Sequence, residues 1–411
     1  MMEEATRGVG LSPAFQPIVS LTDEAIVGYE ALARWPDLGE PGPLAVFAHA
    51  RANGHLDELD RLCINASIDT ALRNSLPNNT LLAVNCEPTS VYRTPDRLEA
   101  LSQTKNRLQV MFEITERSLL VHPRALLQKV AALRADGFLI ALDDVGAHPD
   151  SSALLDVISP DVMKLDLALV QSQPNFKQAQ TISAVLAHHE RTGAVILAEG
   201  IETDEHLEQA LALGADLGQG RHFGWPAPLE SDVAISPWTV WGETQRRVSQ
   251  EPGSPFGLLG QHHRPKTARK KTVVAFSEHI ESLAARAADP PIVLTALQQT
   301  RHLTPRTLAR YRDLAARSPL VAVFGEQMFP EPAPGIRGVA LRSDDPLGSE
   351  WTVVTLGPHT AAALIAREHP GNTPDTADRD RRFDFVMTYD RALVTAAARN
   401  LLSRIGPLPQ T

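Results

Sequence analysis

Residues 139–146 read LIALDDVG. Four apolar residues that end on two adjacent carboxylates form the pattern of a strand buried on both faces, with its C-terminal end opening on a rim that does chemistry. The same grammar recurs on either side. Val162–Leu165 carries Lys164 in MKLD, and Val195–Ala198 leads to Glu199 and then Glu202 in LAEGIE. Upstream, residues 110–112 lead to Glu113 in FEITER, 81–84 to Asn85 in AVNCEP, and 27–33 carry Glu30, with Arg34 just after, in YEALARW. Residues 15–19 open the series, and the weaker run 215–217 leads to Gln219 in DLGQGR. Segments of helical spacing lie between the runs, such as Leu126, Val130 and Leu133, and Ile182, Val185 and Leu186. Eight strands alternating with helices over about 230 residues predict a parallel (β/α)8 barrel.

Length and composition bound what such a barrel can serve. The chain has 411 residues, enough for two domains, with 39 Lys+Arg against 49 Asp+Glu and a formal charge of −10. A globally acidic chain makes a poor binder of nucleic-acid polymers, because phosphate contacts need clustered cations. The two cysteines, Cys63 and Cys86, cannot build a disulfide framework, and no CxxC spacing offers a zinc or redox site. The opening MMEEATRGVGLSPAF lacks an apolar core of the kind secretion signals need, and no apolar run is long enough to cross a membrane. These features predict a reduced, cytoplasmic protein.

The alternation stops near Trp241. Residues 243–272 are rich in Pro, Gly and basic residues without a visible period, the composition of an interdomain linker. The expected division is therefore a barrel over 1–242, a linker over 243–272 and a smaller α/β unit over 273–411. In that second unit the sequence predicts a strand at 320–324. Two strand–turn–helix stretches follow: 351–356 before a helix over Ala361–Glu368, and 383–388 before a helix over 392–402. It carries no carboxylate or histidine cluster at strand ends, which points to sensing or interaction.

In a (β/α)8 barrel the site lies at the C-terminal ends of the strands. A single carboxylate after a strand is ordinarily a cap or an ion-pair partner. Several converging on one mouth would repel one another and raise each other's pKa unless cations joined them. All the candidate ligands are oxygen donors, so Mg²⁺ or Mn²⁺ fits better than zinc. Asp143 and Asp144 could serve two ions if the backbone turns at the strand end. Two metals and a lysine suit in-line hydrolysis of a phosphodiester. His148 sits in the loop beside these residues and reads as a loop residue. His188 and His189 read as helix-end polar residues, and Cys63 and Cys86 as core thiols.

The strings YEALARW, NCEP, FEITE, DDVG, KLD, AEGIE and GQGRHFGWPAPL, in this order from Phe15 to Leu229, resemble the EAL-domain cyclic di-GMP phosphodiesterases. The resemblance implies a modified (β/α)8 barrel that hydrolyses cyclic di-GMP to the linear dinucleotide pGpG with two Mg²⁺ or Mn²⁺ ions. It implies metal contacts from Glu30, Asn85, Glu113, Asp143 and Asp144, with Glu202 and Gln219 close by. Lys164 would orient the attacking water, and Glu199 would do general-base or metal-linked work. Gln16 and Arg34 would touch substrate, and Glu116 would anchor the loop after the fifth strand. The family also implies a homodimer through the barrel. The loop DDVGAHPDSS departs from the family pattern at Val145, His148 and Pro149, and Arg221 stands where an aromatic is usual. The altered loop leaves open a second reading, a catalytically weak barrel acting as a cyclic di-GMP receptor or scaffold. The strings EWTVVTLGPHTAAALIARE and RRFDFVMTYDRALVTAAARNLL resemble the DICT sensory domain, which implies regulation of the barrel by an unknown signal.

Overall fold

A computed structural model describes residues 1–74, 76–92, 101, 104, 107–115, 120–148, 151–230, 234–238, 253–260, 263–373 and 375–407. Packing divides the chain into two compact units. The first comprises Met1–Ser118, Lys129–Pro149 and Ser159–Val248; the second comprises Leu119–Gln128, Asp150–Ile158 and Ser249–Thr411.

The first unit is a closed barrel of eight strands in sequence order: β1 (Ser12–Ser20), β2 (Ile26–Arg34), β3 (Thr80–Asn85), β4 (Leu108–Thr115), β5 (Leu139–Val145), β6 (Val162–Leu165), β7 (Val195–Ala198) and β8 (Leu217–Gly218). It is not all parallel. β1 runs antiparallel to both β2 and β8, while every pair from β2 to β8 is parallel. The cause is loop length. Five residues join β1 to β2, closed by a hydrogen bond from Ser20 N to Ala25 O of 2.9 Å, and a parallel pair needs a crossover of a dozen or more. The last strand is shorter and slightly later than the run at 215–217 suggested.

Inside the barrel, Ile18, Leu81, Ala83, Met111, Leu139, Ala141, Val162, Val195, Leu197 and Leu217 form one buried cluster. Along β3, β5 and β7 its members are two residues apart, the period at which strand side chains return to the same face. Helices flank the strands. Phe176–Thr192 begins at a capping box, in which Asn175 accepts from Gln178 N and the Gln178 side chain accepts from Asn175 N. Gly193, in the left-handed conformation, ends it.

The second unit is built on a seven-stranded sheet: β9 (Lys266–Arg269), β10 (Ile292–Gln299), β11 (Val321–Glu326), β12 (Ile336–Leu341), β13 (Glu350–Leu356), β14 (Ala361–Glu368) and β15 (Arg382–Thr388), in the order β12-β11-β10-β13-β14-β15-β9. Only β10–β11 and β11–β12 are parallel. The helix Lys270–Arg286 packs on Ala362, Leu364, Ala366, Phe383 and Phe385, and the helix Arg391–Leu402 also packs on β13 and β14. The unit takes in part of the earlier chain. Arg399 Nε and Nη2 donate to Val157 O and Asp156 O, each at 2.8 Å, and Arg391 pairs with the Asp156 carboxylate.

Ala361–Glu368 is a strand and not the helix its alanines suggest. Gly357 N donates to Thr360 O at 2.8 Å, turning the chain so that Leu356 pairs with Ala361 and Glu350 with Arg367. Ala362–Ala366 is then buried on both faces, a setting in which packing outweighs the helix preference of alanine. The basic stretch at 266–271 is likewise regular, forming β9 and the first turn of the helix Lys270–Arg286.

Leu197 is fully buried in the barrel cluster. Leu197→Ala is expected to cost about 2–5 kcal/mol, because the cavity left behind collapses only in part. Urea unfolding followed by circular dichroism should show the lowered midpoint.

Candidate active site

The apolar columns of the barrel interior continue upward into polar residues. Two positions after an interior residue of each strand comes a candidate: Asn85 above Ala83, Glu113 above Met111, Asp143 above Ala141, Lys164 above Val162, Glu199 above Leu197 and Gln219 above Leu217. Glu30 sits opposite Ala83 in the β2–β3 register and opposite Gln16 in the β1–β2 register. The period-two rule therefore delivers one polar layer to one mouth.

Asp144 has the wrong parity for this layer. The β5–β6 register shifts between Leu142 and Val145, and Asp144 has φ of +59°, in the left-handed region. This bulge re-aims the side chain, so oxygens of Asp143, Asp144 and Glu199 all lie within 4.8 Å of one another. Gly146 follows with φ of +101°, and a Cβ there would stand 2.5 Å from Leu169 Cδ1. The turn after the two aspartates thus requires glycine on both conformational and steric grounds.

Lys164 is the hub. Only 1% of it is exposed, and its Nζ lies 2.7 Å from Glu113 Oε1, 2.7 Å from Glu199 Oε1, 3.3 Å from Asp143 Oδ1 and 3.5 Å from Glu30 Oε2. Glu30 is further held by Asn85 Nδ2 at 3.0 Å and Gln219 Nε2 at 2.7 Å, and Gln219 also reaches Gln16 Oε1 at 3.0 Å. Burial alone would lower the pKa of the ammonium, but the four carboxylates outweigh it and hold the pKa well above the ordinary lysine range. Glu113 is driven well above the carboxylate range, by burial first and by Glu30 second. Burial pushes Glu199 up to about 8, against the pull of Lys164. For Glu30, burial is outweighed by Lys164, Gln219 and its other partners, and its pKa falls.

Five carboxyl groups (Glu30, Glu113, Asp143, Asp144 and Glu199) face one ammonium, and the raised pKa values of Glu113 and Glu199 reflect a layer that resists carrying all its negative charge without further cations. Glu113 Oε2 and Gln219 Oε1 are buried without a hydrogen bond among the described residues, and Glu113 Oε1 and Asp143 Oδ1 face only the shared Lys164 ammonium. Buried oxygen acceptors that no donor satisfies, in a layer short of positive charge, fit hard divalent cations.

The remaining candidates lie around this layer. Glu202 is paired with Arg221, whose guanidinium lies 5.1 Å from the Trp225 ring. Arg34, at the C-terminal end of β2, is half-buried and donates to Ala33 O at 2.9 Å. Gln16 donates to Gly224 O at 3.1 Å. Glu116 and Pro149 fall outside the described residues. Burial raises the Cys63 thiol pKa, which keeps it an unreactive thiol.

Sequence reading missed the support beneath the layer. Asp60 accepts from Ser90 Oγ and from Glu87 N, the latter at 2.9 Å, and Lys129 Nζ donates to Ser90 Oγ at 2.7 Å. Lys129 also reaches Glu87 O, and Cys86 N donates to Glu113 O at 3.1 Å. This buried network fixes the turn after Asn85. Its only signal was an aspartate on the core side of a helix.

In EDTA at neutral pH, Glu113→Gln should raise the thermal midpoint by about 2–4 °C, because it replaces a carboxyl whose ionised form burial and Glu30 disfavour in the folded state. Lys164→Met should instead lose about 3–5 kcal/mol, since it strips the carboxylates of their counter-ion. Thermal denaturation of both variants checks the pair. A lower midpoint for Glu113→Gln would mean that the folded state favours the Glu113 carboxylate.

A family model described as "EAL domain" matches residues 1–226, and one described as "Sensory domain in DIguanylate Cyclases and Two-component system" matches residues 258–369. The cyclic di-GMP phosphodiesterase RocR of Pseudomonas aeruginosa is 31% identical over 225 residues, covering 52% of this chain and 57% of RocR. The uncharacterized protein y4lL of Sinorhizobium fredii is 30% identical over 234 residues, covering 55% of this chain and 28% of that protein. Among solved structures, the manganese/cy-diGMP complex of Klebsiella pneumoniae BlrP1 at pH 9.0 matches at 28% identity with a TM-score of 0.47, covering 53% of this chain and 56% of that one. The chain thus matches less than two thirds of the length of each of these relatives.

Proposed function

The chain belongs to the EAL-domain family over residues 1–226, and from that premise we propose that it is a cyclic di-GMP phosphodiesterase, hydrolysing its substrate to linear pGpG. The observation that carries the reading is the layer of carboxylates that share the single Lys164 ammonium, with oxygens of Asp143, Asp144 and Glu199 within 4.8 Å of one another.

Glu30, Asn85, Glu113, Asp143 and Asp144 are the residues that would hold two Mg²⁺ or Mn²⁺ ions, with Glu199, Glu202 and Gln219 beside them. Such ions supply Lewis-acid polarisation of the phosphate and a more acidic water. Hydrolysis adds water across one P–O bond: the hydroxyl goes to phosphorus and the proton to the departing sugar oxygen. Glu199, 2.7 Å from Lys164 Nζ and with an oxygen within 4.8 Å of those of Asp143 and Asp144, is suited by position to accept the proton of the water. Lys164 holds Glu113 and Glu199 in register and directs the water between them. Arg34 presents a fork of donors to a phosphate oxygen pair. Gln16 positions Gln219 and the substrate.

Functionally, we assign catalysis to 1–242 and regulation to 273–411, joined through 243–272. The family resemblance supports a homodimer through the barrel, with Glu116 anchoring the loop after β5. No helix among the described residues is long and apolar enough to cross a membrane, and the two free cysteines fit a reducing cytoplasm.

Incubation with cyclic di-GMP and Mg²⁺ or Mn²⁺, followed by chromatography, should yield the linear dinucleotide. EDTA should abolish the product, and Ca²⁺ should not replace the smaller ions, because its flexible shell positions water poorly. Undiminished turnover in EDTA would sink the metal assignment.

At saturating metal, Lys164→Ala should lose at least about a hundredfold in kcat, about 2.7 kcal/mol, with substrate affinity retained. Loss of binding by the folded variant would make Lys164 a capture residue instead.

A further inference from the structure

The second unit contains a cavity of about 330 Å³ under the helices Lys270–Arg286 and Pro305–Ala315, at the end of β10. This lies in the range of small-molecule sites. Its floor is built by an irregularity. The β10–β11 register breaks between Ala296 and Gln299, and Gln298, a non-glycine residue, takes φ of +66°. His302 Nδ1 bonds Leu297 O at 2.6 Å, and Thr300 Oγ1 donates to Glu326 O at 2.8 Å, so the bulge is fastened on both sides. Bulges of this kind re-aim a side chain and cluster at functional sites.

The re-aimed side chain lines the cavity with a polar group that the fold does not use. Gln298 is 5% exposed, and its Nε2 has no hydrogen-bond partner among the described residues. Trp351 lines the same cavity, and its buried Nε1 also lacks a partner. An indole N–H can only donate, so what would satisfy it is an acceptor.

The charges at the cavity agree. Each acid there is already engaged. Glu281 accepts from Arg310 Nε at 2.8 Å, Tyr311 Oη at 3.0 Å and Ser277 Oγ at 3.1 Å; Glu278 pairs with Arg310 at 3.3 Å, and Asp378 with Lys270 at 2.6 Å. Arg301, also on the lining, has no acidic partner among the described residues. The walls between these groups are apolar and flat-sided, with Trp351 edge-on to Phe383 at 5.8 Å and Leu297 and Val274 beside them.

We propose that this cavity is a binding site for a small organic anion with a planar apolar body and carboxylate oxygens, an aromatic carboxylate in class. The oxygens would face the two unused donors and Arg301, and the ring would fill the space along Trp351, Phe383 and Leu297. The inference does not depend on the reaction proposed for the barrel.

The test is calorimetric titration of the full chain with cinnamate, and with its neutral isostere cinnamamide. Cinnamate should bind one per chain with a Kd below about 1 mM. Cinnamamide should bind at least about fivefold more weakly, and Arg301→Ala should weaken cinnamate by about tenfold. Val274→Trp, which fills the cavity from the helix side, should abolish saturable binding. Arg301 is exposed, so its variant folds whether or not the larger tryptophan is accommodated. The proposal is overturned if cinnamate, benzoate and naphthoate all fail to saturate the wild-type chain up to about 5 mM. Cinnamate affinity unchanged in Arg301→Ala, or in a folded Val274→Trp, would overturn it too.

Discussion

One buried ammonium surrounded by carboxylates sets the terms for the barrel. Lys164 sits among Glu30, Glu113, Asp143 and Glu199 with almost no solvent access, where an unpaired charge of either sign would be costly. It joins side chains from five strands that share no sequence neighbourhood. Yet it is one ammonium shared by four carboxyl groups, so it orders the layer without satisfying all of it. The layer is held in shape and left short of positive charge, which is the electrostatic condition for capturing cations.

Much of this layer was legible in the sequence because β-strands have a period of two. An apolar residue inside the barrel predicts the direction of the residue two positions on, and Asn85, Glu113, Asp143, Lys164, Glu199 and Gln219 all follow that rule. Asp144 does not, and its approach to Asp143 depends on a bulge and a positive φ that adjacency alone does not encode. The antiparallel β1 was readable in principle from the five residues before β2, but an alternating pattern of runs does not state direction. Asp60 and Lys129 were hidden because their roles depend on a turn whose shape is tertiary. In the second unit, Ala361–Glu368 has helical propensity but lies between two strands, and the sheet decided.

The two units share a structural habit. Each places a non-glycine residue in the left-handed region at a register break near the end of a strand: Asp144 on β5 and Gln298 on β10. Such a backbone conformation is mildly unfavourable and persists where the surroundings fix it. In each unit the polar side chain at the break ends beside groups that the fold leaves unsatisfied, carboxylate oxygens in one and N–H donors in the other. At these two positions the irregular backbone coincides with polar chemistry that the fold does not use.

The two edges of the seven-stranded sheet bear on how the protein behaves at high concentration. A bare strand edge invites another strand, and with it aggregation. At one edge, Gly338 N of β12 is taken by Pro330 O at 2.7 Å, and a Cβ at Gly338 would collide with Phe329 O, so a loop lies against that strand and uses a free donor. At the other edge, β9 is only four residues long, largely exposed, and carries Lys266 and Arg269. A short, exposed edge strand that carries a lysine is a poor template for a second strand. The basic stretch that looks like plain linker in the sequence thus forms the short, charged edge at which the sheet ends.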